Sequence, residues 1–254
     1  MLFLQKKEDM NNMTTRRTIR KYSPREVSNE LLNRLLAEAC RTQTMGNLQL
    51  YSVVTTRSEE MKQRLAPAHF NQPMVTEAPV VLTFCADFRR TTRWCEERKA
   101  QPGYDNLLSF INAATDALLC CQTFCNLAEA EGLGLCFLGT TVYSPQLIID
   151  VLGLPRLVMP VATITLGWPD EEPPLTDRLP LEAIVHEETY HDYSRADIDA
   201  LYTAKEQLEE NRQFVVLNKK ETLAQVFTDC RYTRSDNEAL SEGLMETLRR
   251  QGFV

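Results

Sequence analysis

Histidine is scarce in this chain: the 254 residues include three, and although there are eight cysteines, no two stand as CxxC. Structural zinc sites draw four such ligands from short paired spacings, so no metal is expected. His186-Glu187-Glu188-Thr189-Tyr190-His191 looks like a metal-binding HExxH, but the second histidine falls one place late. On a helix the partner must come four residues on, and that residue is Tyr190. Glycine is also sparse. No Walker glycine-lysine loop and no Gly-x-Ser-x-Gly elbow occurs, which removes P-loop and serine-hydrolase chemistry. Gly132-Leu133-Gly134 follows a helix pattern and opens a strand, the reverse of a dinucleotide fingerprint, and the third glycine is missing. Excess positive charge is absent as well: the net charge is -7 and the pI about 5.2, so nucleic acid is not an expected partner. No internal repeat or low-complexity tract occurs. Met1-Leu2-Phe3-Leu4 runs at once into Gln5, Lys6, Lys7 and Glu8, which leaves no room for a signal peptide, and a cytoplasmic protein is expected.

The longest apolar signal runs from Tyr104 to Thr141. Asp105 is positioned to cap a helix in which Leu107, Leu108, Phe110, Ile111, Ala114, Leu118, Cys121, Cys125 and Ala128 recur at spacings of three and four. The intervening Ala113, Ala117, Leu119, Cys120, Phe124 and Leu127 are also small or apolar, which predicts a helix wrapped on most sides. Polar residues from Asn112 through Asp116 to Asn126 interrupt it and argue against a membrane span. A buried soluble helix with reduced thiols is expected. Gly132 and Gly134 then allow a reversal into a short strand, Leu135 to Gly139.

Around this centre the patterns predict a helix over 2–11 and one from the Ser28 cap to about Arg41, with Leu31, Leu32, Leu35, Leu36 and Ala39 as its buried stripe. A strand is predicted over 48–55, a helix over 58–66, a loop at Asn71-Gln72-Pro73, a strand over 80–85 and a charged helix over 88–100. A helix from Pro145 to Gly153 and a strand over 160–166 complete an α+β fold, a mixed central sheet flanked by helices. The acidic, proline-rich stretch 170–174 marks the end of the compact core. Beyond it come a helix over 194–214 with a thin stripe (Ile198, Leu201, Ala204, Leu208) and a last helix over 237–251. The division read is a core of 1–180 and a helical C-terminal extension of 181–254, which has too little apolar surface to stand alone and packs on the core or on a second subunit.

Arg16-Arg17-Thr18-Ile19-Arg20-Lys21 puts four cations and a hydroxyl in six residues of an acidic chain. Arginine is suited to bidentate phosphate binding. Taken in order with Gln72-Pro73, Gly132 to Gly139, Leu166-Gly167-Trp168-Pro169 and Arg178-Leu179-Pro180, this segment resembles the FMN-dependent nitroreductase family, in its larger, often NADPH-using subgroup. The resemblance covers about residues 15–253.

That resemblance implies a homodimer with FMN at the subunit interface. Arg16, Arg17, Thr18 and Arg20 match the family's phosphate and ribityl motif, and Arg178 matches a second phosphate ligand. Gln43, Thr44 and Met45 match a loop that touches the flavin from the partner side, where relatives often carry serines. Gln72 matches a ring-edge or ribityl contact. Phe137, Leu138, Gly139 and Thr140 match the strand end along the isoalloxazine, with the Gly139 amide facing N5. Relatives select NADPH with arginines that are replaced or shifted here, and Lys219 and Lys220 are the nearest candidates. The implied activity is ping-pong transfer of hydride from NADPH or NADH through FMN to nitroaromatics, quinones or flavin. No side chain is assigned as acid, base or nucleophile, because the cofactor carries the chemistry. The alternatives are a non-catalytic flavin-binding or regulatory protein of the same fold and a specialised reductase of one metabolite.

Overall fold

The computed structural model describes residues 13–254, so the helix expected over 2–11 lies outside the described residues. Two compact units are formed: the chain up to Pro174 together with Leu240–Val254, and Leu175–Ala239. In the first, Ser28 caps α1 (Asn29–Ala39) by accepting the Leu31 N–H, and the helix buries Leu32, Leu35 and Ala39. It stops two residues before Arg41. Strand β1 (Tyr51–Thr56) follows, starting later than expected because residues 45–47 form a 3₁₀ turn and Gln49 takes a positive φ of 49°. Ser58 caps α2 (Glu59–Leu65). The stretch read as a polar loop at 71–73 instead opens a short helix, α3 (Pro73–Glu77), with proline at its tolerated first position. Next come β2 (Val80–Asp87), α4 (Arg89–Glu97), α5 (Leu107–Ala130), β3 (Gly134–Leu138), α6 (Pro145–Leu152) and β4 (Val158–Gly167).

The sheet order is β1-β2-β4-β3 with every neighbouring pair antiparallel. Strands β2 and β4 are buried along their whole length, as their continuous apolar runs require. Helix α5 lays Ala113, Ala117, Cys120, Phe124 and Ala128 into the core, where Phe124 meets Phe84 of β2 at 6.2 Å between ring centroids. Its cap is Asn106, whose Oδ1 accepts the Ser109 N–H at 3.0 Å, and not Asp105, which lies one place before the cap. Within the single chain the helix is not wrapped on most sides: Leu107, Leu108, Ile111, Leu118 and Leu119 are exposed, because the sheet covers one face only. Among the described residues α5 is the one helix whose length and composition would allow it to cross a membrane, yet its other face is a core face.

In the second unit, Ser194 and Asp197 form a capping box at the start of α7 (Arg195–Glu206). The single helix expected over 194–214 is broken: Leu208 is extended (φ -57°, ψ 132°) and caps α8 (Glu209–Leu217). Asn211 Nδ2 donates to the Lys205 carbonyl at 2.8 Å and so satisfies a group that the break exposes. After α9 (Leu223–Val226) and a π-turn over Phe227–Arg231 comes α10 (Arg234–Gln251). The end of α10 belongs to the first unit, where Leu248 and Phe253 are buried in the core and the Gln251 carbonyl accepts the Leu157 N–H at 2.9 Å.

Candidate active site

The basic segment lies along the free edge of β3. Ile19 N–H donates to Leu135 O at 3.0 Å, and Tyr22 bridges to Pro169 just past β4. Contact this close depends on Gly134, since a Cβ there would sit 2.7 Å from the buried Ile19 side chain. The Tyr22 hydroxyl donates to Ile19 O at 2.8 Å and accepts a hydrogen bond from the Thr165 hydroxyl at 2.6 Å. Burial pushes the phenol pKa well above its ordinary value. Glu171 accepts the backbone N–H groups of Arg20 (2.6 Å) and Lys21 (3.0 Å), and these bonds hold its carboxyl below the usual carboxylate range.

The cations of the segment differ in what they are free to do. Arg16 pairs with Glu129 at 3.2 Å, while Arg17 donates to Pro173 O at 2.7 Å and lies 3.7 Å from Glu172. Thr18 is partly exposed. Arg20 is exposed, and among the described residues it forms no ion pair with a carboxylate. It lies by the Cys136 thiol, whose pKa burial raises and Arg20 and Arg16 lower.

At the end of β3 the chain turns into a 3₁₀ segment, Gly139–Val142. Phe137 is 47% exposed, Leu138 is buried, and a Cβ built on Gly139 would meet open space. Thr140 Oγ1 is 2.8 Å from Nδ1 of His69, a fully buried residue of the 3₁₀ segment Ala66–His69. Burial lowers the His69 pKa to about 4. Three residues on, Gln72 is partly exposed at the start of α3.

The reversal at 43–47 is held on α5. Asp116, 1% exposed, accepts the Thr44 hydroxyl at 2.5 Å, the Met45 N–H at 2.9 Å and the Leu50 N–H at 3.2 Å. Thr44 Oγ1 accepts the Gln49 N–H at 2.9 Å, so this hydroxyl is engaged within the protein, whereas Gln43 and Met45 are exposed. Neither Asp116 nor His69 is singled out by sequence reasoning. The one available signal is an acid in the middle of an apolar helix, read above only as an interruption.

In the second unit Arg178 donates to Thr176 Oγ1 and to Asp177 O, both at 2.8 Å. Lys220 pairs with Asp229 at 2.9 Å, a bond that raises its pKa, and Lys219 is exposed with φ 53°. His186 Nδ1 accepts the backbone N–H of His191 at 3.3 Å, and no group of three or more His, Cys, Asp or Glu side chains is placed for a metal among the described residues.

A polar, cation-lined sheet edge that ends in an open aromatic and glycine face defines a cofactor-binding α+β protein. The Nitroreductase family model matches residues 13–168, and the chain belongs to that family. FMN reductase (NAD(P)H) of Bacillus subtilis strain 168 is 32% identical over 185 residues, 72% of this chain and 74% of the relative. An oxygen-insensitive NADPH nitroreductase of Salmonella typhimurium is 29% identical over 174 residues, 68% of this chain and 71% of its own length. A crystal structure from Bacteroides fragilis NCTC 9343, of a protein provisionally described as an oxidoreductase, superposes with a TM-score of 0.95 at 61% identity, covering 96% of this chain and 99% of the other.

Proposed function

We propose that this chain is an FMN-dependent oxidoreductase that takes hydride from NADPH or NADH and delivers it to nitroaromatic, quinone or flavin acceptors. The observation that carries the reading is the basic segment laid along β3, whose end is open at Phe137 and Gly139. The residues fit FMN: the exposed Arg20 guanidinium suits a phosphate, and the glycine and phenylalanine surface suits a flat ring. When bound, FMN supplies hydride acceptance from the nicotinamide and donation to the acceptor in ping-pong order.

The chain's own work is binding and orientation. Arg20 would hold the phosphate, with Arg16, Arg17 and Thr18 beside it in the same segment, Gln72 would meet the ring edge, and the Gly139 amide would face the ring. Leu138 is buried, so only its backbone can take part. A second copy covers the exposed apolar residues of α5, whose burial on association is favourable, and brings Gln43 and Met45 to the partner's flavin. The acidic charge and eight free thiols suit a reducing cytoplasmic setting.

Purified protein is expected to be yellow, to release FMN on denaturation and to bleach when mixed anaerobically with NADPH or NADH. Release of FAD, or no flavin after reconstitution, refutes the cofactor assignment. Bound FMN that neither donor bleaches leaves a non-catalytic flavoprotein. Sedimentation at low concentration checks the dimer, and a flavin-loaded monomer refutes the shared site.

A further inference from the structure

We infer that His69 is a positioning residue for this site: its imidazole holds the Thr140 hydroxyl and, through it, the turn that carries the Gly139 amide. The functional consequence rests on the FMN reading above. Nδ1 of His69 lies 2.8 Å from Thr140 Oγ1, across 71 residues of sequence. His69 is itself fixed. The backbone around it is closed by three bonds, Phe70 N–H to Pro67 O (3.2 Å), Asn71 N–H to Ala66 O (2.8 Å) and Gln72 N–H to His69 O (3.2 Å).

A second contact ties the same two segments. Phe70, held in the left-handed region at φ 55°, places its ring 6.4 Å from that of Tyr143. A bulky side chain in that region is uncommon and persists only where the surroundings impose it. The two ties thus join the turn after β3 to the segment that leads into Gln72.

Stability alone does not account for the imidazole. Its Nε2 is buried without a hydrogen-bond partner among the described residues, and an unpaired buried polar atom is unfavourable. Leucine has a similar volume and would pack among the neighbouring Leu65, Ala66 and Ala68 without that penalty. What leucine cannot do is bind Thr140. With its pKa lowered to about 4 by burial, the ring is neutral near pH 7 and acts through geometry, not charge.

The test uses the FMN-loaded protein and a double-mutant cycle of His69→Leu and Thr140→Val, with His69→Asn as the conservative variant, since its amide can occupy the Nδ1 position. Each single substitution is expected to slow anaerobic flavin reduction about threefold to tenfold, the range for loss of one neutral hydrogen bond, and to shift the flavin midpoint potential. The double mutant should be no slower than the worse single mutant, and His69→Asn should recover most of the rate. Reduction rate and potential unchanged in both singles, whatever happens to Tm, overturn the inference, as do multiplicative losses in the double mutant. If His69→Leu does not fold, Thr140→Val against His69→Asn decides, because only the former should be slow. A parent protein that holds no FMN, or FMN that neither donor bleaches, fails the underlying reading before any variant is made, and the inference falls with it.

Discussion

Replacing Asp116 should separate the contribution of the 43–47 reversal to stability from its contribution to the flavin. Three donors converge on this buried carboxylate, and the loop they hold contains two non-glycine residues in the left-handed region, Asn47 at 56° and Gln49 at 49°. A hydrogen bond to a charged group contributes about 1.5 to 3 kcal/mol, which would sum to about 5 to 9 kcal/mol for three. The sum overstates the loss, because the contacts are coupled and water can reach the exposed Met45 once the carboxylate is gone. Breaking one partner of a buried charged network costs about 3 to 5 kcal/mol, and Asp116→Ala is expected to fall in that range. Asp116→Asn keeps the shape and one acceptor oxygen but turns an amide N–H toward a donor, so it should lose roughly half as much. Urea unfolding of the apo protein gives the stability change, and FMN titration gives the effect on the site. Both variants should weaken FMN binding, Asp116→Ala more. A loss below about 1 kcal/mol for Asp116→Ala would mean that water satisfies the three donors. A large loss of stability with FMN affinity unchanged would remove the reversal from the flavin site.

His69 should also make stability depend on pH. Its pKa is about 4 when folded against about 6.5 unfolded, so the unfolded chain binds the extra proton first and stability falls as pH drops from 6.5 toward 4. The full effect is about 3 kcal/mol, read as a steeper decline of the urea midpoint in the parent than in His69→Leu, and parallel declines would contradict it. Gly134→Ala should cost about 1 to 3 kcal/mol, since its Cβ would lie 2.7 Å from Ile19, and it should weaken FMN binding by pushing the basic segment off β3. Unchanged flavin affinity would show that the segment is not set by this contact. If lysines in the second unit select NADPH, the exposed Lys219 should matter more than Lys220, whose charge is balanced by Asp229. Preference for NADPH over NADH should then fall in Lys219→Ala and shrink with added salt, and equal kcat/KM for the two donors in the parent would refute it.

Legibility from sequence follows the range of the interactions involved. The Ser28 and Ser58 caps, the α6 proline and the β2 and β4 runs are local signals, and each lands within a few residues of the observed element. Non-local pairs are different. Asp116 is paired across 72 residues with Thr44, His69 across 71 with Thr140, and Arg16 with Glu129 at the far end of α5. Nothing in the residues flanking any of them announces the partner. The break at Leu208 is hidden for a related reason: its neighbours have ordinary helical composition, and Asn211, three residues later, closes the turn.

Helix α5 shows how one pattern can carry two meanings. Apolar residues on most sides predict a helix wrapped on most sides, but periodicity reports which faces avoid water and not what covers them. In the structure one face meets the sheet, Asp116 within that face anchors the reversal at 43–47, and the opposite face presents Leu107, Leu108, Ile111, Leu118 and Leu119 to the outside. Single exposed leucines are ordinary on protein surfaces, but a stripe of them along the first half of α5 suits the interface of the proposed dimer. Under the proposed dimer the two faces act together: the outer one recruits the second copy, and the inner one fixes the loop that this copy offers to its partner's flavin. A charge on the outer face should therefore lower FMN affinity together with association. Ile111→Glu is the variant to make, since Ile111 is 50% exposed and far less committed to the core than Ala113 or Ala117. Sedimentation and flavin titration should shift in parallel, and a monomeric Ile111→Glu protein that binds FMN as tightly as the parent would break the link between the two faces.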